Sequence, residues 1–207
     1  MKLLRQLSVA ALGLFALQAA QSKNLIVYFT VPESVATEKL DGVSGASVII
    51  KDNERLGSAE YLAKEVQKTA GGDLFRLETV QAYPTVHQQL LDFAQEEQRK
   101  NIRPALKAKP NLNGYETIFV AYPIWWYKLP MPLYSLFEQV DFSGKNIVPL
   151  VTHGGSRLSG TDRDIAQLQP KATVKDGFEY YLYKTTGADS TMEQKLADWL
   201  VRQGYAK

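Results

Sequence analysis

Apolar runs alternate with stretches of helical periodicity along nearly the whole chain. Asn24-Leu25-Ile26-Val27-Tyr28-Phe29-Thr30 is a continuous apolar run, the pattern of a strand covered on both faces. Residues 57–70 carry Leu62, Val66 and Ala70 at four-residue spacing, and Gly71-Gly72 ends that helix. Residues 73–79 read as a second, half-buried strand, with Leu74, Leu77 and Val80 among its apolar positions. Residues 85–103 read as a helix with Val86, Leu90 and Ala94 on one face and Thr85 as its cap. Thr117-Ile118-Phe119-Val120-Ala121-Tyr122 gives a third strand, and Leu133, Leu136, Phe137 and Val140 mark the helix after it. A fourth strand at 146–151 and a short helix at 161–168 follow. Residues 172–174 and 178–183 supply a fifth strand, and Met192, Leu196, Trp199 and Leu200 define a last amphipathic helix. Strands alternating with helices predict an α/β fold, a doubly wound three-layer sandwich with a parallel sheet at its centre.

One segment breaks the alternation. Residues 31–56 separate the first strand from its helix, where a few residues would serve. Within this insertion, residues 47–51, then Asp52-Asn53, then 54–56 read as a small hairpin. A second exception is the head of the chain. Lys2 and Arg5 precede an apolar run from Leu7 to Leu17 and a small polar stretch from Gln18 to Ser22. That order is a secretory signal peptide over residues 1–22, with cleavage near Ala19 or after Ala20-Gln21-Ser22; an uncleaved anchor is the alternative. The expectation is an exported protein, periplasmic or extracellular, with one domain over 23–207 and no stable membrane span once the signal is removed.

Composition narrows the chemistry. Lys2 and Arg5 are the only charges in residues 1–22, so the remaining 22 basic residues balance the 22 acidic ones. A neutral chain without a basic stripe points away from nucleic acid. No cysteine is present, which excludes disulfides, thiolate catalysis and iron–sulfur clusters, and two histidines, His87 and His153, argue against a metal centre. Redox chemistry in this chain would need a bound organic cofactor.

Ligands of open parallel sheets sit beyond the carboxyl ends of the strands. Three loops end there. The first runs from Thr30 to the helix opening at Gly57-Ser58, whose N-terminal N–H groups suit a phosphate; Ser58 also reads as a plain cap. The second, Tyr122-Pro123-Ile124-Trp125-Trp126-Tyr127-Lys128-Leu129-Pro130-Met131-Pro132, places four aromatics among three prolines directly after a buried strand. These offer flat faces for stacking, or else one Trp packs into the core and the other against the insertion. The third is Thr152-His153-Gly154-Gly155-Ser156, where paired glycines admit a ligand to the backbone and His153 has a proton or hydrogen bond to give. His87 falls on a helix expected to lie far from this edge and receives no role. Together the loops suit a flat aromatic ligand bearing a phosphate. No G-x-G-x-x-G fingerprint is present, so a Rossmann dinucleotide site is not expected.

Pro123-Ile124-Trp125-Trp126, Leu129-Pro130-Met131-Pro132, Phe142-Ser143-Gly144-Lys145 and Thr152-His153-Gly154-Gly155-Ser156, in this order, resemble the flavodoxin-like family, in particular short bacterial members with a Trp-rich second loop. The resemblance runs from about Asn24 to the C-terminus apart from the insertion. It implies five parallel strands in the order 2-1-3-4-5 and non-covalent FMN. It further implies Thr30 and Ser58 at the phosphate, Pro123, Ile124, Trp125 and Trp126 along the isoalloxazine, and Thr152, His153, Gly154 and Gly155 at its other edge. The chain departs from the family at the first loop, where the insertion splits the usual hydroxyl-rich turn and the second half reads Gly57-Ser58-Ala59. Pro32 has no N–H there, Glu33 would repel a phosphate if it pointed inward, and Ser44-Gly45-Ala46-Ser47 is a candidate to complete the site.

The resemblance implies an FMN-dependent oxidoreductase that takes electrons from a small-molecule or protein donor and passes them to a quinone-like or other small acceptor, with His153 as the candidate catalytic side chain. Two alternatives stand beside it: an electron carrier serving a protein partner, which the neutral charge disfavours, and an exported binding protein that has kept the fold without the flavin. A homodimer is compatible with each.

Overall fold

The computed structural model describes residues 23–34, 48–182 and 187–207. The signal segment, the stretch 44–47 and Tyr183 lie outside them. The strands are β1 (Lys23–Tyr28), β2 (Val48–Lys51), β3 (Glu54–Gly57), β4 (Asp73–Arg76), β5 (Tyr115–Pro123), β6 (Asn146–His153), β7 (Thr173–Val174) and β8 (Phe178–Tyr181). The helices are α1 (Ser58–Ala70), α2 (His87–Lys100), α3 (Met131–Gln139), α4 (Thr161–Leu168) and α5 (Ser190–Arg202).

The central sheet runs β4-β1-β5-β6, and β7 and β8 both pair with β6. All of its pairings are parallel. The predicted fifth strand is thus divided: β7 lies beside Asn146–Ile147 and β8 beside Leu150–His153. Gly177 sits in the break, where a Cβ would come within 2.8 Å of the Pro149 carbonyl oxygen.

Period-two alternation along β1 builds both cores. Leu25, Val27 and Phe29 face the cluster formed with Leu90 of α2, Leu133 and Leu136 of α3, and Ile165 of α4. Ile26 and Tyr28 face Leu62 and Val66 of α1 and Met192, Leu196 and Leu200 of α5. Two helices cover one face and three the other.

The insertion contains the hairpin expected from its sequence. β2 and β3 pair antiparallel around Asp52 (φ 50°) and Asn53 (φ 63°), the left-handed pair that a two-residue hairpin turn requires. The hairpin is pinned to the α1–α5 face. Lys51 Nζ reaches Glu65 Oε1 at 2.5 Å and Glu193 Oε1 at 2.7 Å, and the buried Tyr61 hydroxyl donates to the same Glu193 oxygen at 2.7 Å. Replacing Lys51 by Met leaves two carboxylates facing each other without their cation. That variant is expected to lose about 2–3 kcal/mol, discounted from the cost of breaking a fully buried pair because Lys51 and Glu193 are partly exposed. Urea unfolding checks the magnitude, and hydrogen exchange at Ala188, whose N–H donates to the Ile50 carbonyl, checks the location.

Candidate functional site

Three sequence-predicted loops converge where expected. Ser58 from α1, Pro123, Ile124, Trp125 and Trp126 after β5, and Thr152, His153, Gly154 and Gly155 at the end of β6 border one cavity of about 590 Å3. That volume lies in the ordinary range for a cofactor-sized ligand. Hydrogen bonds tie the loops together: the Ser58 hydroxyl pairs with the Thr152 hydroxyl at 3.1 Å, and Ile124 N–H donates to the Thr152 carbonyl at 2.9 Å. Ser58 is therefore not the cap of α1. Gly57 holds that position, and its N–H donates to Glu60 Oε2 at 3.3 Å.

Thr30 stands apart from this lining. Its side chain packs on Gly57, so closely that a Cβ there would lie 2.0 Å from Thr30 Oγ1. Thr30 is 5% exposed, and its buried hydroxyl has no hydrogen-bond partner among the described residues. It borders a neighbouring hollow of about 220 Å3 together with Val31, Pro32 and Tyr83. A buried hydroxyl without a partner, beside the free N–H groups of the first turn of α1, fits a phosphate oxygen. Glu33 does not oppose this. Its carboxylate is buried with Oε1 2.9 Å from His87 Nδ1, and its carbonyl accepts from Arg55 Nη1 at 2.8 Å.

The second loop is a strained turn. Trp126 (φ 48°) and Tyr127 (φ 61°) occupy left-handed backbone that favours Asn-Gly, not aromatics. Surrounding bonds hold it: Trp125 and Lys128 exchange backbone hydrogen bonds at 3.2 and 3.0 Å, Gln98 Nε2 donates to the Trp125 carbonyl at 2.7 Å, and Ser159 Oγ donates to the Tyr127 carbonyl at 2.9 Å. Strain maintained in this way belongs to sites where a side chain must be aimed. The two tryptophans differ. Trp125 is half-buried and packs against the core, meeting Phe29 and Tyr83 edge-on at 5.3 and 5.4 Å. Trp126 is 41% exposed and anchors its Nε1 on the Leu91 carbonyl at 3.1 Å. One Trp packs half-buried against the core; the other bonds to the Leu91 carbonyl of α2.

In the third loop, Gly155 N–H donates to His153 Nδ1 at 3.0 Å. Nδ1 is thus an acceptor and the neutral ring carries its proton on Nε2. Burial pushes the imidazole below its usual value, Arg157 adds to that effect and Glu179 opposes it. His153 is therefore suited to donate a hydrogen bond from Nε2. Tyr181 covers the ring at 5.7 Å. The sign of the pH effect follows. Above the ordinary imidazole value of about 6.5 both folded and unfolded chains hold His153 neutral. As pH falls through and below that value the unfolded chain takes up the proton first, so stability declines. Urea midpoints measured from about pH 8 to pH 5 are expected to fall more for the native chain than for His153→Gln.

His87 corrects the sequence reading. It is the first residue of α2 and borders the cavity, as do Leu90, Leu91 and Ala94. The signal was present: His87, Leu91, Ala94 and Gln98 form a second stripe at helical spacing, beside the core stripe of Leu90. Helix α2 begins two residues later than expected because Thr85 is engaged by Ser34, backbone to backbone at 3.2 Å and hydroxyl to hydroxyl at 2.8 Å.

A ligand-sized cavity at the carboxyl ends of the inner strands lies where open doubly wound α/β sheets hold their ligands. Comparison with known proteins specifies the family. A flavodoxin family model matches residues 48–202, and the chain belongs to that family. The match starts in the hairpin and leaves β1 outside it. Among solved structures, a protein described as a flavoprotein from Bacteroides eggerthii aligns at 24% identity over 87% of this chain and 97% of its own, with a TM-score of 0.63. A similarly described protein from Bacteroides uniformis aligns at 22% identity over 87% and 98%, with a TM-score of 0.64. A Lactobacillus acidophilus flavoprotein solved in complex with FMN aligns at 13% identity over 76% and 93%, with a TM-score of 0.55. These likenesses show a shared fold. No curated protein matches. Among the described residues, no helix is long and apolar enough to cross a membrane.

Proposed function

We propose that this protein binds FMN non-covalently and serves as an oxidoreductase that passes electrons to a quinone-like or other small acceptor. The observation carrying the reading is the cavity itself, in which the α1 N-terminus, the aromatic turn and the His153-Gly154-Gly155 loop meet around a cofactor-sized volume. In this reading the first turn of α1 and the Thr30 hydroxyl hold the phosphate. Trp126 flanks the ring, while Trp125 fixes the turn that aims it. His153 donates from Nε2 to a ring heteroatom, and Gly154 and Gly155 let the backbone approach. A bound flavin would supply the electron-transfer chemistry; the protein binds and orients it and sets its polar surroundings.

The chain works outside the cytoplasm in this reading, because residues 1–22 have the make-up of a secretory leader. Its electrons then come from a donor available there, a small molecule or a partner protein. Anaerobic mixing of the reduced, FMN-loaded protein with a soluble benzoquinone tests the activity. Rapid reoxidation with one hydroquinone formed per flavin is expected. Reoxidation no faster than that of free reduced FMN would leave only an electron carrier or a flavin-binding protein.

A further inference from the structure

The cavity has two walls of different chemistry. On one side stand the start of α1 and the loop after β6, with the hydroxyls of Ser58 and Thr152 and the turn at Gly154-Gly155. The other wall is α2. There Leu90 turns into the core, whereas Leu91 and Ala94 border the cavity and belong to neither core cluster. Ala94 is 3% exposed, so it is buried without being packed into the core. The Trp125-Trp126 turn is fastened to this helix at two points. Trp126 Nε1 donates to the Leu91 carbonyl at 3.1 Å, and Gln98 Nε2 donates to the Trp125 carbonyl at 2.7 Å. About 10 Å of helix separates Leu91 from Gln98. Ala94 lies between them on the same stripe, where a small side chain takes up the least space. None of the described residues bordering the cavity is Asp, Glu, Lys or Arg. An ionised group brought into it would lose its water and gain no counter-charge from the lining.

We infer that α2 forms the subsite of the electron acceptor and that it selects an uncharged quinone carrying alkyl substituents, with Leu91 and Ala94 as the specificity-determining residues. The inference rests on the oxidoreductase reading above and divides the cavity, the flavin on the α1 and β6 side and the acceptor on the α2 side. The polar wall meets the heteroatoms of the flavin. The α2 wall offers apolar surface that takes alkyl groups out of water. Two electrons pass from the reduced flavin to the quinone, and each quinone oxygen gains a proton, one from the flavin and one from water. Oxidised flavin and the hydroquinone are the products. A sulfonated quinone gains the same electrons, yet nothing on this wall compensates its charge.

The test uses the FMN-loaded protein with methyl-, ethyl-, propyl- and butyl-substituted naphthoquinones, and naphthoquinone sulfonate as the charged comparison. Anaerobic reoxidation is followed, and each rate is divided by that of free reduced FMN with the same quinone to remove intrinsic reactivity. The ratio is expected to rise about fourfold per methylene along the series. For the sulfonate it should lie about 30-fold below the methyl compound. Leu91→Gln should lower the ratio for the butyl compound about tenfold, and Ala94→Leu about 30-fold. FMN affinity should stay within about threefold in both, because neither side chain is assigned to the flavin. Leu91→Gln should also flatten the rise with chain length, which a merely structural role of Leu91 would leave in place. A ratio indifferent to chain length, or a sulfonate accepted as well as the methyl compound, would overturn the inference and leave the oxidoreductase reading standing. FMN affinity that falls in step with the quinone rate in both variants would also overturn it and give the α2 wall to the flavin. Should the variants fail to fold, the quinone series on the native chain decides. Reoxidation no faster than that of free reduced FMN with every quinone, or wild-type protein that binds no FMN, would instead overturn the oxidoreductase reading itself.

Discussion

Gly57→Ala is expected to abolish tight FMN binding while leaving riboflavin binding largely intact. The backbone at Gly57 (φ −74°) accepts any residue, so the effect is purely steric. A new methyl group would lie 2.0 Å from Thr30 Oγ1, 2.5 Å from its Cγ2 and 2.8 Å from its Cβ. Thr30 must therefore move off the start of α1. Overpacking of this kind costs about 1–3 kcal/mol of stability. Affinity for FMN should fall by about 100-fold, or about 2.7 kcal/mol, as the hydroxyl and the helix N-terminus separate. Thr30→Gly in the same chain should recover the stability but not the affinity. Thr30→Ala alone gives the cleanest contrast. Its hydroxyl has no partner among the described residues, so removing it should cost the free protein almost nothing and still weaken FMN. Isothermal titration with FMN and riboflavin, paired with urea unfolding, separates the two effects.

Trp125→Ala is expected to be the most damaging substitution in the cavity wall, through stability more than through direct contact. Trp125 lies edge-on to both Phe29 and Tyr83, and its backbone closes the strained turn with Lys128. Truncating a large aromatic packed in this way costs about 3–5 kcal/mol. The turn also loses its base, so Trp126 and Tyr127 should relax out of left-handed backbone and flavin affinity should collapse with stability. Trp126→Ala behaves differently. Its ring is exposed and its indole N–H bonds the Leu91 carbonyl, so about 1 kcal/mol of stability is at stake. Its effect on flavin affinity should exceed its effect on stability, the reverse of Trp125. Thermal unfolding of the two variants without ligand, compared with their FMN titrations, gives the ordering.

Most of the fold and the three loops were legible because each depends on local pattern. Continuous apolar runs marked β1, β5 and β6, and the hairpin turn announced itself as Asp52-Asn53. What the sequence concealed is set by contacts between distant segments. Nothing near His87 signals that Glu33, fifty-four positions earlier, will lie 2.9 Å from its ring. Nothing near Thr85 signals that Ser34 will take its hydroxyl and delay the start of α2. The separation of Thr30 from the main cavity, and the placing of two aromatics in left-handed backbone, likewise follow from packing around them and not from their own neighbours in the chain.

The central claim is that the cavity between α1, the Trp125-Trp126 turn and the His153 loop holds FMN. Flavin titration of residues 23–207 tests it most directly, with any co-purified flavin identified first and then FMN added to the free protein while tryptophan fluorescence is followed. One FMN bound per chain, with quenching that Trp126→Ala diminishes, is the result the account predicts. No co-purified flavin and no quenching at high FMN concentration would contradict it and leave a flavodoxin-fold protein that binds something else.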